Sequence, residues 1–207
     1  MNRPPGSAGA AFTDGADGDQ RNDLTARSAV SSWLGISRQW ATVTQVHGTR
    51  VFRAEGPGAL GEADGLWTDR PGLPLAVFTA DCFGVVLVAA GAVGVAHAGW
   101  RGAAEGVVTA LRSEMAGSGH VPSFAAIGPG IGPCCFEVGN EVATRFPMET
   151  TSTTWGTSSV DLAASIRREL EGLEVWVSGA CTKHNQGLFS HRESGTLLRM
   201  ASIGWMP

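Results

Sequence analysis

Residues 75–79, 85–89 and 93–96 form three short runs, LAVFT, VVLVA and VGVA, with scarcely a polar side chain among them. A strand with one wet face alternates apolar and polar residues. Runs without that alternation belong to strands covered on both faces. Such strands need further layers packed above and below them, and the rest of the chain must supply those layers.

Helical periodicity supplies part of the answer. Val107, Val108, Leu111 and Met115 share one face of a helix expected over residues 102–116. A second helix is expected over 137–146. A third is expected over 160–171, with Leu162, Ile166, Leu170 and Leu173 on one side and Ser158 or Ser159 as its N-cap. Strands are expected at 41–46, 50–54, 124–127 and 174–178, and in the tail "LLRMASIGWM". The first two flank "HGT" as a hairpin or a tight corner. Residues 57–74 read as a long surface loop around one short strand. The fold class is therefore α/β in the mixed α+β sense: a single domain of mixed β-sheets flanked by helices. Residues 1–23, rich in Gly, Asp, Ala and Pro, read as a largely flexible N-terminal arm, with a short strand near 11–13, ahead of one catalytic domain over 24–207.

Composition narrows the function. The net charge of −4 comes with no basic block, which disfavours nucleic acid as a partner. No apolar run reaches the roughly 20 residues of a membrane span, and the N-terminus has no apolar core of an export signal. Four cysteines in 207 residues do not make a disulfide scaffold, so the thiols are expected to be reduced and the location cytoplasmic. No obligate protein partner is evident in the sequence.

Three metal-favouring residues close three apolar runs: His47 in "TVTQVHG", Cys82 in "LAVFTADC" and His97 in "VGVAHAGWRG". Two imidazoles and a thiolate suit Zn²⁺, and three protein ligands leave a coordination position free for water or substrate. Singly, each residue fits an ordinary buried Cys or a hydrogen-bonded His equally well. Arg101 follows His97 at a strand-to-helix turn, where a guanidinium and free N–H groups would welcome an anion. Gln45 lies two residues before His47, on the same strand face, and could hold substrate. The glycine-rich "GPGIGPCC" is a second candidate anion loop, although Cys135 would act as a nucleophile only beside a base. Asp81 reads as a supporting group, and Cys181 with His184 has ligand-like spacing but, as a single half-site, reads as part of a loop.

Taken together, "QVHGTRV", "GEADGLWTD", "LAVFTADCFGVVLV", "VGVAHAGWRG", "AAIGPGIGPCCFEVG" and "GLFSHRESG" resemble the laccase-domain family over residues 42–206. That family is also called the multicopper polyphenol oxidoreductase family and the purine nucleoside phosphorylase family. The resemblance implies a cytoplasmic enzyme holding one zinc through His47, Cys82 and His97. It implies phosphorolysis of adenosine, inosine, guanosine and methylthioadenosine, together with adenosine deamination, on small-molecule nucleoside and phosphate. It also implies a fold like the deamidase domain of cytotoxic necrotizing factor. Related members are peptidoglycan-editing amide hydrolases, for which Cys82 would be the nucleophile and His97 the base. A copper-dependent polyphenol oxidase fits less well, because one Cys and two His cannot build a multicopper cluster. The chain departs from the family pattern in three places. "FTDGADGDQRND" replaces a glycine-rich segment, Gly84 stands where Pro is usual, and "SHRESGTLLR" alters the tail motif at Glu193, Leu197 and Leu198.

Overall fold

The computed structural model describes residues 1–5 and 9–206. In chain order the elements are β1 (Ala10–Phe12), a 3-10 turn (Gly15–Asp17), α1 (Leu24–Leu34), β2 (Ala41–Thr44), β3 (Val51–Arg53), β4 (Gly58–Glu62) and β5 (Gly65–Thr68). There follow β6 (Leu75–Thr79), β7 (Phe83–Ala89), β8 (Ala92–Ala98), α2 (Trp100–Ala104), α3 (Val107–Gly117) and β9 (Pro122–Ile127). The last third holds α4 (Asn140–Ala143), β10 (Thr150–Ser152), β11 (Ser158–Val160), α5 (Leu162–Glu169), β12 (Glu174–Val177), α6 (His191–Ser194) and β13 (Met200–Gly204).

Two mixed sheets carry the fold. One runs β12-β9-β7-β8-β5-β3, the other β1-β13-β6-β2-β4, and β10 pairs with β11 in a small ribbon. Side-chain alternation along the strands shows how the layers stack. In β7, Val85 and Leu87 face a cluster containing Leu111 and Met115 of α3 and Ile166 of α5. Val86 faces the other way, onto Leu75 and Val77 of β6. In β6, Ala76 and Phe78 turn outward onto Val30 of α1 and Trp40. The order of layers is therefore helix, sheet, sheet, helices. Both sheets are covered on both faces, which is why 75–79 and 85–89 lack alternation.

Several expectations change. The short strand expected near 11–13 is β1, and it is built into the core and not carried on a flexible arm: Ala10, Ala11 and Phe12 are at most 1% exposed and pair antiparallel with β13. The Phe12 ring stacks on Trp176 with centroids 5.8 Å apart, so three small or aromatic residues in a polar stretch suffice to close a sheet edge. Asp14 caps the following turn. The expected helix over 102–116 is two helices, broken at Gly106, whose φ of +82° is left-handed. The expected helix over 137–146 shrinks to α4. The cap of α5 is Asp161, because Ser158 and Ser159 are in β11. Residues 57–74 are not a surface loop around one strand: they contain β4 and a fully buried β5. Strands β2 and β3 do not form a hairpin but enter different sheets, so "HGT" turns a corner between them. Among the described residues no helix is long and apolar enough to cross a membrane.

Candidate active site and metal centre

The corner between β2 and β3 carries His47 in a left-handed conformation, φ 61°, uncommon outside glycine although His is among the residues that adopt it most readily. One carboxylate holds it there. Asp64, fully buried just ahead of β5, accepts the main-chain N–H groups of Val46 (3.1 Å), His47 (3.0 Å) and Gly48 (2.7 Å). The same carboxylate lies 2.8 Å from Nδ1 of His97, which is 3% exposed inside β8 rather than beyond its end. Engaging Nδ1 in this way leaves Nε2 as the free ring nitrogen and fixes the tautomer, the arrangement usual behind a metal-binding histidine.

Cys82 precedes β7 at the opposite side of the corner. Its Sγ is 3.9 Å from His47 Nε2, and the His47 and His97 rings meet edge to face with centroids 4.8 Å apart. The candidate ligand atoms of all three residues lie within 4.8 Å of one another. A nitrogen and a sulfur bound to one tetrahedral zinc would be about 3.6 Å apart, given bond lengths of about 2.0–2.1 and 2.3 Å. The fit is close. Gly99 makes it possible: a Cβ there would stand 2.6 Å from His47 Cδ2 and 3.0 Å from Cys82 Sγ.

Electrostatics matches the geometry. Burial opposes ionisation of Cys82, but hydrogen bonds and positive charge from His47 and His97 draw its pKa from 9.0 down to about 6. Burial likewise opposes protonation of His97, yet Asp64 and the Cys82 thiolate raise its pKa from 6.5 to about 9. Burial would raise Asp64 as well. The His97 contact and the N–H groups of Gly48 and Val46 hold it below the ordinary value.

The three residues open into a cavity of about 370 Å³. Phe78, Ile131 and Phe136 give it apolar walls, and Arg21, Arg192 and Arg199 give it positive charge. Two expected substrate residues are reassigned. Gln45 does line the cavity, but its amide is spent on the main chain of Phe78, donating to the carbonyl at 2.7 Å and accepting the N–H at 2.8 Å. It extends the pairing of β2 with β6. Arg101 is exposed, stacks its guanidinium 4.3 Å over the Trp100 ring and lines a neighbouring groove instead. The loop over 128–132 packs its first two glycines against aromatic rings. A Cβ at Gly128 would meet the Phe12 ring at 2.3 Å and one at Gly130 the Phe83 ring at 2.5 Å, so these glycines serve packing. Asp81, with φ 103°, accepts Thr182 Oγ1 at 2.6 Å and Arg192 N at 2.7 Å, tying α6 to the cavity wall.

The four cysteines are free. Burial, first among several causes, pushes Cys135 up to about 12, so in the metal-free chain it is held as the thiol. Sequence reasoning assigned no role to Asp64, Arg21, His191 or Arg199. For Asp64 the signal was present in the acidic "EADG" ahead of an apolar strand. The others come from segments remote in sequence.

A family model described as multi-copper polyphenol oxidoreductase laccase matches residues 10–207. A Deinococcus radiodurans protein named purine nucleoside phosphorylase is 35% identical over 97% of this chain and 83% of its own length. A Mycobacterium tuberculosis protein of the same name is 39% identical over 87% of this chain and 78% of its own. The crystal structure of YlmD from Geobacillus stearothermophilus superposes with a TM-score of 0.86 at 30% identity, covering 99% of this chain and 94% of that one. The Bacillus licheniformis protein YfiH gives 0.85 at 27%, covering 95% and 92%. With nearly its whole length matched, the chain belongs to the multi-copper polyphenol oxidoreductase laccase family.

Proposed function

We propose that this chain is a zinc-dependent purine nucleoside phosphorylase acting on adenosine, inosine, guanosine and methylthioadenosine, and that the same cavity deaminates adenosine. One observation carries the reading: His47, Cys82 and His97 converge at a cavity that also presents three arginines and flat aromatic walls. Its size is within the range of small-molecule sites. The names of the Deinococcus and Mycobacterium relatives support the substrate class.

His47, Cys82 and His97 would hold the zinc, which when bound supplies a Lewis acid for polarising a substrate oxygen or activating water. Asp64 keeps His97 Nε2 aimed into the site. Arg21, Arg192 and Arg199 replace Arg101 as the candidates for holding phosphate against C1′ of the ribose. Phosphorolysis forms a phosphate-to-C1′ bond and breaks the C1′–N9 bond, so the leaving purine must be held flat. Phe78 and Phe136 offer surfaces for that. A three-ligand His–His–Cys set supports the choice of a single zinc ion over the several coppers of the family's name. Nothing in that set builds a multinuclear copper cluster. A cytoplasmic location is in keeping with the reduced thiols.

The paired shifts of Cys82 and His97 favour one second reading. A thiolate beside an imidazolium oriented by Asp64 is also the arrangement of a Cys–His amide hydrolase, with peptidoglycan precursors as substrate. Product analysis with inosine and adenosine, with and without phosphate, separates the two when run beside metal analysis. Phosphate-dependent release of hypoxanthine by zinc-loaded protein supports the phosphorylase. Amide cleavage by metal-free protein, with nucleosides untouched, supports the hydrolase.

A further inference from the structure

A second cluster of metal-favouring side chains lies apart from the His47 site. Two loops are laced together behind the cavity: Gly130 N–H donates to Ala180 O at 3.3 Å and Thr182 N–H to Gly130 O at 3.0 Å. The first loop then turns tightly, with the N–H groups of Cys135 and Phe136 both reaching Gly132 O at 3.0 Å. In a strand, adjacent cysteines would point apart. In this turn, Cys134 and Cys135 place their sulfurs on the same side, 3.6 Å from each other. From the second loop, His184 Nδ1 comes to 3.6 Å from Cys134 Sγ, and Cys181 Sγ accepts the N–H of Gly132 at 3.2 Å. The ligand atoms of all four residues lie within 4.8 Å of one another.

We propose that Cys134, Cys135, Cys181 and His184 bind a second zinc ion, in a closed structural site independent of the His47 site. Two sulfurs on one tetrahedral zinc would be about 3.8 Å apart, and a sulfur and a nitrogen about 3.6 Å, from bond lengths of about 2.3 and 2.0–2.1 Å. The observed 3.6 Å separations match both edges. Three thiolates and one imidazole complete a four-ligand set, which leaves no open position and marks a structural site. On binding, three sulfur–zinc bonds replace three S–H bonds and the thiol protons pass to solvent. The main-chain N–H on Cys181 remains as a donor to the zinc-bound sulfur.

The ion would staple the cavity wall. Ile131 and Phe136, on either side of the turn, line the cavity, and Thr182, next to Cys181, bonds Asp81 beside Cys82. Neither loop has a regular element between residues 128 and 136 or between 178 and 190. A crosslink between them would therefore hold these walls in register.

The test counts metal in protein lacking the first site. The double variant His47→Ala with Cys82→Ser, purified under reducing conditions and dialysed, is expected to keep about one zinc per chain by plasma mass spectrometry. A mercurial that caps thiols should release that zinc, and cobalt substitution should give intense sulfur-to-cobalt charge-transfer absorption of a tetrahedral thiolate site. Adding His184→Ala to the double variant should weaken retention at least tenfold while circular dichroism shows a folded chain. Adding Cys181→Ser should abolish retention. Absence of zinc from the folded double variant, with Cys134, Cys135 and Cys181 all reacting freely with a thiol reagent, would overturn the proposal. So would a stoichiometric disulfide in fresh protein. None of these readouts depends on nucleoside chemistry.

Discussion

Asp64 and His97 are joined by a 2.8 Å contact that is only one of four hydrogen bonds ending on the same buried carboxylate. The other three fix the corner that carries His47. One side chain thus sets both the tautomer of one candidate ligand and the strained backbone of another.

Asp64→Asn should therefore damage the site from two directions. The amide NH₂ must face at least one main-chain N–H donor, leaving buried donors unpaired at about 1–3 kcal/mol. Loss of the charge behind His97 should weaken metal binding by roughly 10–100-fold. Chemical denaturation and competition with a chromogenic chelator measure the two effects. Normal metal affinity in a folded Asp64→Asn protein would count against the arrangement.

The pH response of metal-free protein follows from opposed shifts. Cys82 is depressed from 9.0 to about 6, so its contribution to stability is present above pH 9 and is lost as pH falls through 6. His97 is raised from 6.5 to about 9, so its contribution is present below pH 6.5 and is lost as pH rises through 9. Between these limits the slopes oppose, and the denaturation midpoint of metal-free protein should be nearly level. Cys82→Ser leaves only the His97 slope, so stability should decline as pH rises. Ultraviolet titration should find one thiolate forming near pH 6 in the wild-type chain.

Substrate anion should depend on the cavity arginines rather than on Arg101. Arg21→Ala should raise the KM for phosphate roughly tenfold to a hundredfold, the loss of a charged hydrogen bond of about 1.5–3 kcal/mol. Arg101→Ala should leave that KM within about twofold, because its guanidinium stacks on Trp100 outside the cavity. Steady-state kinetics with inosine at varied phosphate decides between them.

Gly84 is held small by the other sheet. A Cβ there would stand 1.9 Å from Ser202 Oγ and 2.3 Å from Ser202 Cβ. Gly84→Ala should cost about 1–3 kcal/mol by overpacking. The double variant with Ser202→Gly should recover much of that loss, a coupling readable in a double-mutant cycle of denaturation midpoints.

The sequence by itself determined the doubly covered strands, because unbroken apolar runs at 75–79 and 85–89 have no other stable setting in water. It also determined α3 and α5, whose periodic apolar faces are local patterns, and singled out His47, Cys82 and His97 by their place at or near strand ends. Tertiary structure alone decided the rest. The sheet edge filled by Ala10–Phe12 depends on pairing with β13, nearly two hundred residues away. Gln45 and Arg101 carry the right chemistry for substrate, but one is spent on Phe78 and the other turned onto Trp100. Asp64, the cavity arginines and the convergence of Cys134 and Cys135 with Cys181 and His184 come from chain crossings. A one-dimensional pattern records what each residue can do, whereas only the packed layers fix which groups come within bonding distance.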